Sequence, residues 1–152
     1  KLEKNKKVKL GEEVLNPIIV RTNNLKEKFT EKVLQEMIKN DLPNFLRQLG
    51  SGFSFIDREY KVQIGNTFNY IDILLYNYIR NCFVVVELKI TELKKEYLGQ
   101  IKTYMNIVDK EIKKSTHNKT IGILIPKEMN DFEVSLIDAN NVYKTTLKIK
   151  LS

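Results

Sequence analysis

The segment Cys82-Phe83-Val84-Val85-Val86-Glu87-Leu88-Lys89-Ile90 constrains the fold of this chain more than any other. Its β-branched and aromatic residues predict a central strand, yet it carries Glu87 and Lys89. Charges in such a strand are costly unless they are paired, exposed at the strand's end or coordinated to a metal. Alternation puts Glu87 and Lys89 on one face and Leu88 and Ile90 on the other. An earlier apolar run, Phe68 to Tyr76, has its own misfit in Asp72, and the polar segment Asn77 to Asn81 joins the two runs as a long hairpin. With the turn centred between Ile79 and Arg80, antiparallel pairing sets Asp72 opposite Glu87, their Cβ atoms about 4.5 to 5.5 Å apart.

Two carboxylates that close repel each other. A divalent cation between them removes that cost, and hard oxygen ligands suit Mg²⁺ or Mn²⁺. Lys89 adds a compact positive charge on the same face, placed to orient or help deprotonate a water or to meet a phosphate oxygen. The plainer alternative is a salt-bridged trio at the rim of the sheet. Glu-x-Lys spacing alone decides nothing, since it recurs at Glu59/Lys61, Glu92/Lys94 and Glu111/Lys113. Only Glu87/Lys89 follows an apolar strand with an Asp on its neighbour.

Elsewhere the chain reads as one domain, residues 25–152, behind a basic polar lead-in or linker, 1–24. Thr30 caps a helix whose apolar residues recur at three- or four-residue spacing from Phe29 to Leu49, with Gly50 ending it and Pro43 kinking or dividing it. Strand signals follow at 53–56 and 59–64, then the hairpin. Leu93, Tyr97, Ile101, Tyr104, Val108 and Ile112 form the stripe of a second helix over about 92–114. Thr120 to Ile125 predicts a buried strand, with a short helix near 131–138 and a last strand near 142–151. This order predicts an α/β fold with a mixed central sheet flanked by helices.

Composition removes several function classes. A single cysteine, Cys82, excludes an internal disulfide or a cysteine zinc cluster and reads as a small buried hydrophobe. The only histidine, His117, lies in a polar turn expected to be exposed, which argues against Ser/His/Asp catalysis, and no Gly-rich phosphate loop is present. No apolar run approaches the roughly 20 residues that cross a bilayer, so the protein reads as cytoplasmic with no membrane partner. The formal charge of +7 sits at the ends: residues 1–10 hold five Lys and one Glu, residues 139–152 hold three Lys and no acid, and the body between is neutral. Within it, 92–119 holds seven Lys against four acids, so Lys94, Lys95 and Lys102 on the second helix are candidate nucleic-acid contacts, with a solvated helix face as the alternative. A chain beginning at Lys1 rather than Met is expected to be part of something longer.

These residues resemble the PD-(D/E)XK nuclease superfamily. Asp72, Glu87 and Lys89 match its D…ExK signature, and the element order matches its restriction-endonuclease-like core, αβββαβ. A closer resemblance is to the C-terminal nuclease domain of YhcG-like bacterial proteins, carried by 45–65 (FLRQLGSGFSFIDREYKVQIG), 70–77 (YIDILLYN), 83–90 (FVVVELKI), 96–106 (EYLGQIKTYMN) and 121–128 (IGILIPKE). The resemblance implies a Mg²⁺- or Mn²⁺-dependent endonuclease acting on nucleic acid, DNA first. Asp72, Glu87 and the Leu88 main-chain carbonyl would hold the metal, with Lys89 and Gln100 at the catalytic site. It also implies an upstream DNA-binding-like domain and a homodimer. Two departures stand out: Ile71, not Pro, precedes Asp72, and Gln35 falls where the first helix often supplies another carboxylate, with Glu31 and Glu36 nearby, which weighs against a second metal. An inactive nucleic-acid-binding or assembly module on the same fold is the alternative.

Overall fold

The computed structural model describes residues 17–22, 30–92, 94–126 and 141–151. The first helical run is divided, as Pro43 requires. Helix α1 (Glu31–Asn40) starts where the Thr30 hydroxyl accepts the Val33 N–H at 3.1 Å, and helix α2 (Leu42–Leu49) restarts after Asp41 with Pro43 in its first turn, where the missing N–H costs nothing.

Five strands form the main sheet in the order β2 (Phe53–Ile64), β3 (Thr67–Asn77), β4 (Cys82–Leu88), β5 (Ile121–Ile125) and β6 (Val142–Lys144). The first three are antiparallel and the last two run parallel to β4. Helix α3 (Lys95–Glu111) makes the crossover between β4 and β5 that a parallel pair needs. The hairpin register is the one the turn predicted: Tyr76 pairs with Phe83 and Asn77 with Cys82. Asn77 builds the turn, its buried Oδ1 accepting the N–H groups of Ile79 and Arg80.

Two apolar layers close the sheet. On one face α1 and α2 bring Leu34, Ile38, Phe45 and Leu49 onto Ile73, Leu75, Val84, Val86, Ile121, Ile123 and Ile125. On the other, α3 brings Ile101, Tyr104, Met105 and Val108 onto Ile71, Leu74, Val85 and Leu124. Cys82 is buried in the first layer, and burial pushes its thiol pKa up, as its reading as a hydrophobe implies.

Three features differ from expectation. The lead-in contains strand β1 (Ile18–Thr22), whose Ile18 and Val20 are buried in the first layer, so packed chain begins before residue 25. The last strand is two: β6 ends at Lys144 in the main sheet, while β7 (Leu147–Leu151) pairs in parallel with β1 in a separate sheet. His117 is half-buried rather than exposed, its ring set edge-on against Tyr76 and Phe83 at 5.7 and 5.2 Å between centroids. The helix expected near 131–138 lies outside the described residues.

Alternation also breaks once inside the sheet. Ile73 and Leu75 face the first layer, but Ile71 faces the second. The switch falls at Asp72, opposite Glu59, which lies between the pairs Arg58–Ile73 and Tyr60–Ile71 and has φ of +52°. A left-handed Glu costs on the order of 1–2 kcal/mol, so this kink is held by its surroundings.

Helix α3 packs tightly on β5 at Gly122, where a Cβ would come within 2.8 Å of Met105 Sδ and 2.9 Å of Ile101 Cδ1. Gly122→Ala is expected to destabilise the protein by about 1–3 kcal/mol through overpacking. Gly99→Ala, in α3 with nothing within 4 Å of the added atom, should stabilise it by roughly 0.5–1 kcal/mol. Urea unfolding followed by far-UV circular dichroism reads both, and equal effects would contradict the packing described.

Candidate active site

The ladder between β3 and β4 ends at Ile73–Val86, one residue short of Asp72 and Glu87. There β3 stays with β2, β4 stays with β5, and the sheet splits. Backbone groups at a split lose their ladder partners, and the two carboxylates replace them. The Asp72 N–H donates to Glu87 Oε2 at 2.8 Å, and the Leu88 N–H donates to Asp72 Oδ2 at 2.7 Å. Each acid thus holds a main-chain amide of the other strand.

Glu87 keeps only 2% of its surface exposed. Burial first, then the Asp72 carboxylate, pushes its pKa well above the usual range, against the opposing pull of the Asp72 N–H and Lys89. Burial likewise raises Asp72 to about 6, opposed by the Leu88 N–H and Lys89 and reinforced by Glu31 and Glu59. Two acids raised together in this way make the split a candidate functional site.

Side chains from both layers reach the pair. From α1, Gln35 Nε2 donates to Asp72 Oδ1 at 2.9 Å. Its own Oε1 is buried without a hydrogen-bond partner among the described residues. The next residue of α1, Glu36, pairs with Arg58 of β2 at 2.9 Å. On the α3 side, Lys89 follows β4, tied by its N–H to the Ile125 carbonyl. Its Nζ donates to Gln100 Oε1 at 3.0 Å, stands 4.9 Å from the centre of the Tyr97 ring and 4.0 Å from Glu87 Oε1. Thr91 Oγ1 fixes Tyr97 through a 2.5 Å hydrogen bond to its hydroxyl. Tyr104 is buried beneath; burial and the two carboxylates push its phenol up to about 12.

Asp72, Glu87, Leu88, Lys89 and Gln100 are therefore brought together. Lys94, Lys95 and Lys102 are not part of this cluster: Lys94 and Lys95 are exposed at the start of α3 and Lys102 is half-buried about two turns further. Sequence reasoning missed the Gln35–Asp72 bond and the grip of Tyr97 on Lys89. In the sequence Gln35 stands out only as the place of an absent carboxylate and Tyr97 only as part of the α3 stripe; neither pattern reveals the partner each side chain takes.

Among the described residues no group of three His, Cys, Asp or Glu side chains is placed to hold a metal ion. The donors at the split still fit one hard divalent cation. They are the buried Glu87 and half-buried Asp72 carboxylates, whose repulsion a cation would relieve, together with the unpartnered Gln35 Oε1 beside them, an acceptor for a cation's water.

The model of the YhcG PDDEXK nuclease domain matches residues 12–148. YhcG of Escherichia coli (strain K12) is 24% identical over 115 residues, 76% of this chain and 31% of that protein. Among solved structures, a repair endonuclease from Pyrococcus abyssi shares 20% identity with a TM-score of 0.53 over 80% of this chain and 48% of that one. EndoMS in complex with double-stranded DNA shares 21% identity with a TM-score of 0.58, covering 84% of this chain and 49% of that one. The chain thus spans under a third of its curated relative and about half of these structures, whose likeness shows the fold. With a sheet split at an Asp/Glu pair beside a lysine, and a family match over most of its length, the chain belongs to the YhcG PDDEXK nuclease domain family and has a restriction-endonuclease-like fold.

Proposed function

We propose that this domain is a Mg²⁺- or Mn²⁺-dependent endonuclease acting on DNA, with Asp72, Glu87 and the Leu88 carbonyl as the metal's protein ligands. The observation that carries this reading is the pairing of buried Glu87 with half-buried Asp72 at the split, with Lys89 held 4.0 Å from Glu87. Family membership supports hydrolysis of nucleic acid, and the DNA-bound EndoMS structure supports DNA as the substrate.

A bound cation would polarise the scissile phosphate and make its water a better nucleophile. The residues of the chain do the rest. Gln35 fixes the Asp72 carboxylate through Oδ1 while the Leu88 N–H holds Oδ2, so that ligand does not rotate. Gln100 and Tyr97 orient the Lys89 ammonium toward the carboxylates, where it can align a water or neutralise a phosphate oxygen. Lys94, Lys95 and Lys102 add phosphate contacts along α3, so Lys94→Ala/Lys95→Ala is expected to weaken binding and to lower the salt dependence by about one charge per lysine.

Plasmid and labelled oligonucleotide DNA should be cut with Mg²⁺ or Mn²⁺ and left intact with EDTA, and Asp72→Ala or Lys89→Ala should reduce cutting by roughly a hundredfold or more. Cutting that survives both substitutions sinks the reading. Salt-sensitive DNA binding indifferent to metal and to Glu87→Gln would instead identify a non-catalytic binding module.

Thermal melting offers a readout independent of turnover. Mn²⁺ at about a hundred times its dissociation constant should contribute about 2.7 kcal/mol, which raises Tm by roughly 5–10 °C in a domain of this size. Glu87→Gln keeps an acceptor for the Asp72 N–H but should lose most of the metal-induced rise. An equal rise in both proteins would place the metal elsewhere.

A further inference from the structure

Beyond the split, β2 and β3 continue without β4 as a two-stranded ribbon, Tyr60–Ile64 paired with Thr67–Ile71 and turned by Gly65, whose φ is +62°. Five residues of strand extend it roughly 16 Å past the carboxylates. Its two faces differ in kind. Tyr60, Val62, Ile64 and Ile71 pack into the layer built by α3. The opposite face, on the α1 side of the sheet, carries Lys61 paired with Tyr70 and Gln63 paired with Phe68. Phe68 and Tyr70 keep 56% and 52% of their surface exposed, and Lys61 Nζ lies 4.0 Å from the centre of the Phe68 ring.

Nothing in the packing of the fold needs these two rings, because the kink at Glu59 and Asp72 turns the ribbon's apolar side to α3 and leaves them outward. They project from one face of one strand at i and i+2, about 6.8 Å apart, which is twice the roughly 3.4 Å spacing of stacked bases. Tyr70 is two residues from Asp72. Aromatic rings beside an ammonium match the two parts of an unpaired nucleotide, a flat base and a phosphate.

We propose that Phe68, Tyr70 and Lys61 form a platform on which unpaired bases stack while the adjoining phosphodiester lies at Asp72 and Glu87. The occupant is a single-stranded or locally opened segment of nucleic acid. This rests on the nuclease reading above and extends it to substrate form: the domain grips strand unpaired next to the cut.

Binding of a fluorescent 12-nucleotide oligo(dT), and of its duplex with oligo(dA), is measured by anisotropy in EDTA. Each of Phe68→Ala and Tyr70→Ala is expected to weaken binding of the single strand about fivefold or more, with the duplex less affected. Both side chains are exposed, so circular dichroism and melting should match wild type. The chain has no tryptophan, so Tyr70→Trp supplies a lone reporter whose fluorescence should be quenched when oligo(dT) saturates the protein. A double alanine variant within twofold of wild type, an unquenched reporter, or binding confined to duplex would each overturn the platform and leave the nuclease reading standing. A wild-type protein that binds neither form in low salt would overturn both.

Discussion

The structure depends on a reciprocal bond pair at one point of the sheet: the Asp72 amide on Glu87 and the Leu88 amide on Asp72. In an unbroken hairpin main-chain amides bond main-chain carbonyls, and no carboxylate is needed. Here two acids substitute for the ladder. They allow β3 and β4 to diverge without orphaning buried amides, each of which would cost about 1–3 kcal/mol. The substitution carries its own cost, since burial raises both acids above their ordinary pKa values and the Asp72 carboxylate pushes Glu87 further. The sheet therefore opens where a hard cation gains most by binding.

Two layers then serve the two halves of that pair. Helix α1 holds Asp72 through Gln35, while α3 holds the lysine beside Glu87 through Gln100 and Tyr97. The Asp72 carboxylate and the Lys89 ammonium are thus held from opposite faces of the sheet. A Gln in place of a carboxylate on α1 makes the division sharper, because an acid there would repel Asp72 rather than donate to it.

Much of this was legible in the residues, for identifiable reasons. A hairpin with strong alternation and a short polar turn has one register that buries its apolar face, so Asp72 opposite Glu87 followed from counting. Lys89 and Gln100 followed from alternation and from the family's motifs. Strand β1 and its pairing with β7 did not, because that parallel pairing joins Ile18 to Leu147 across nearly the whole chain and local patterning carries no trace of such a partner. The kink was hidden for another reason: a left-handed turn inside a strand is usually marked by Gly or Asn, and this chain places Glu59 there.

That kink decides what the charge pattern can mean. The formal +7 lies largely in the terminal segments, and the body between them is neutral, so attraction of a polyanion to the body as a whole is weak. Recognition must then come from local features arranged around the carboxylates. An unkinked β3 would keep Ile71 on the face of Ile73 and turn Tyr70 and Phe68 toward α3, into the second layer. By reversing the faces at Asp72, Glu59 buries the apolar side of the ribbon and brings both rings out beside the reactive pair. The strained residue, like the two carboxylates at the split, thus converts a break in regular sheet structure into a surface that regular structure could not present.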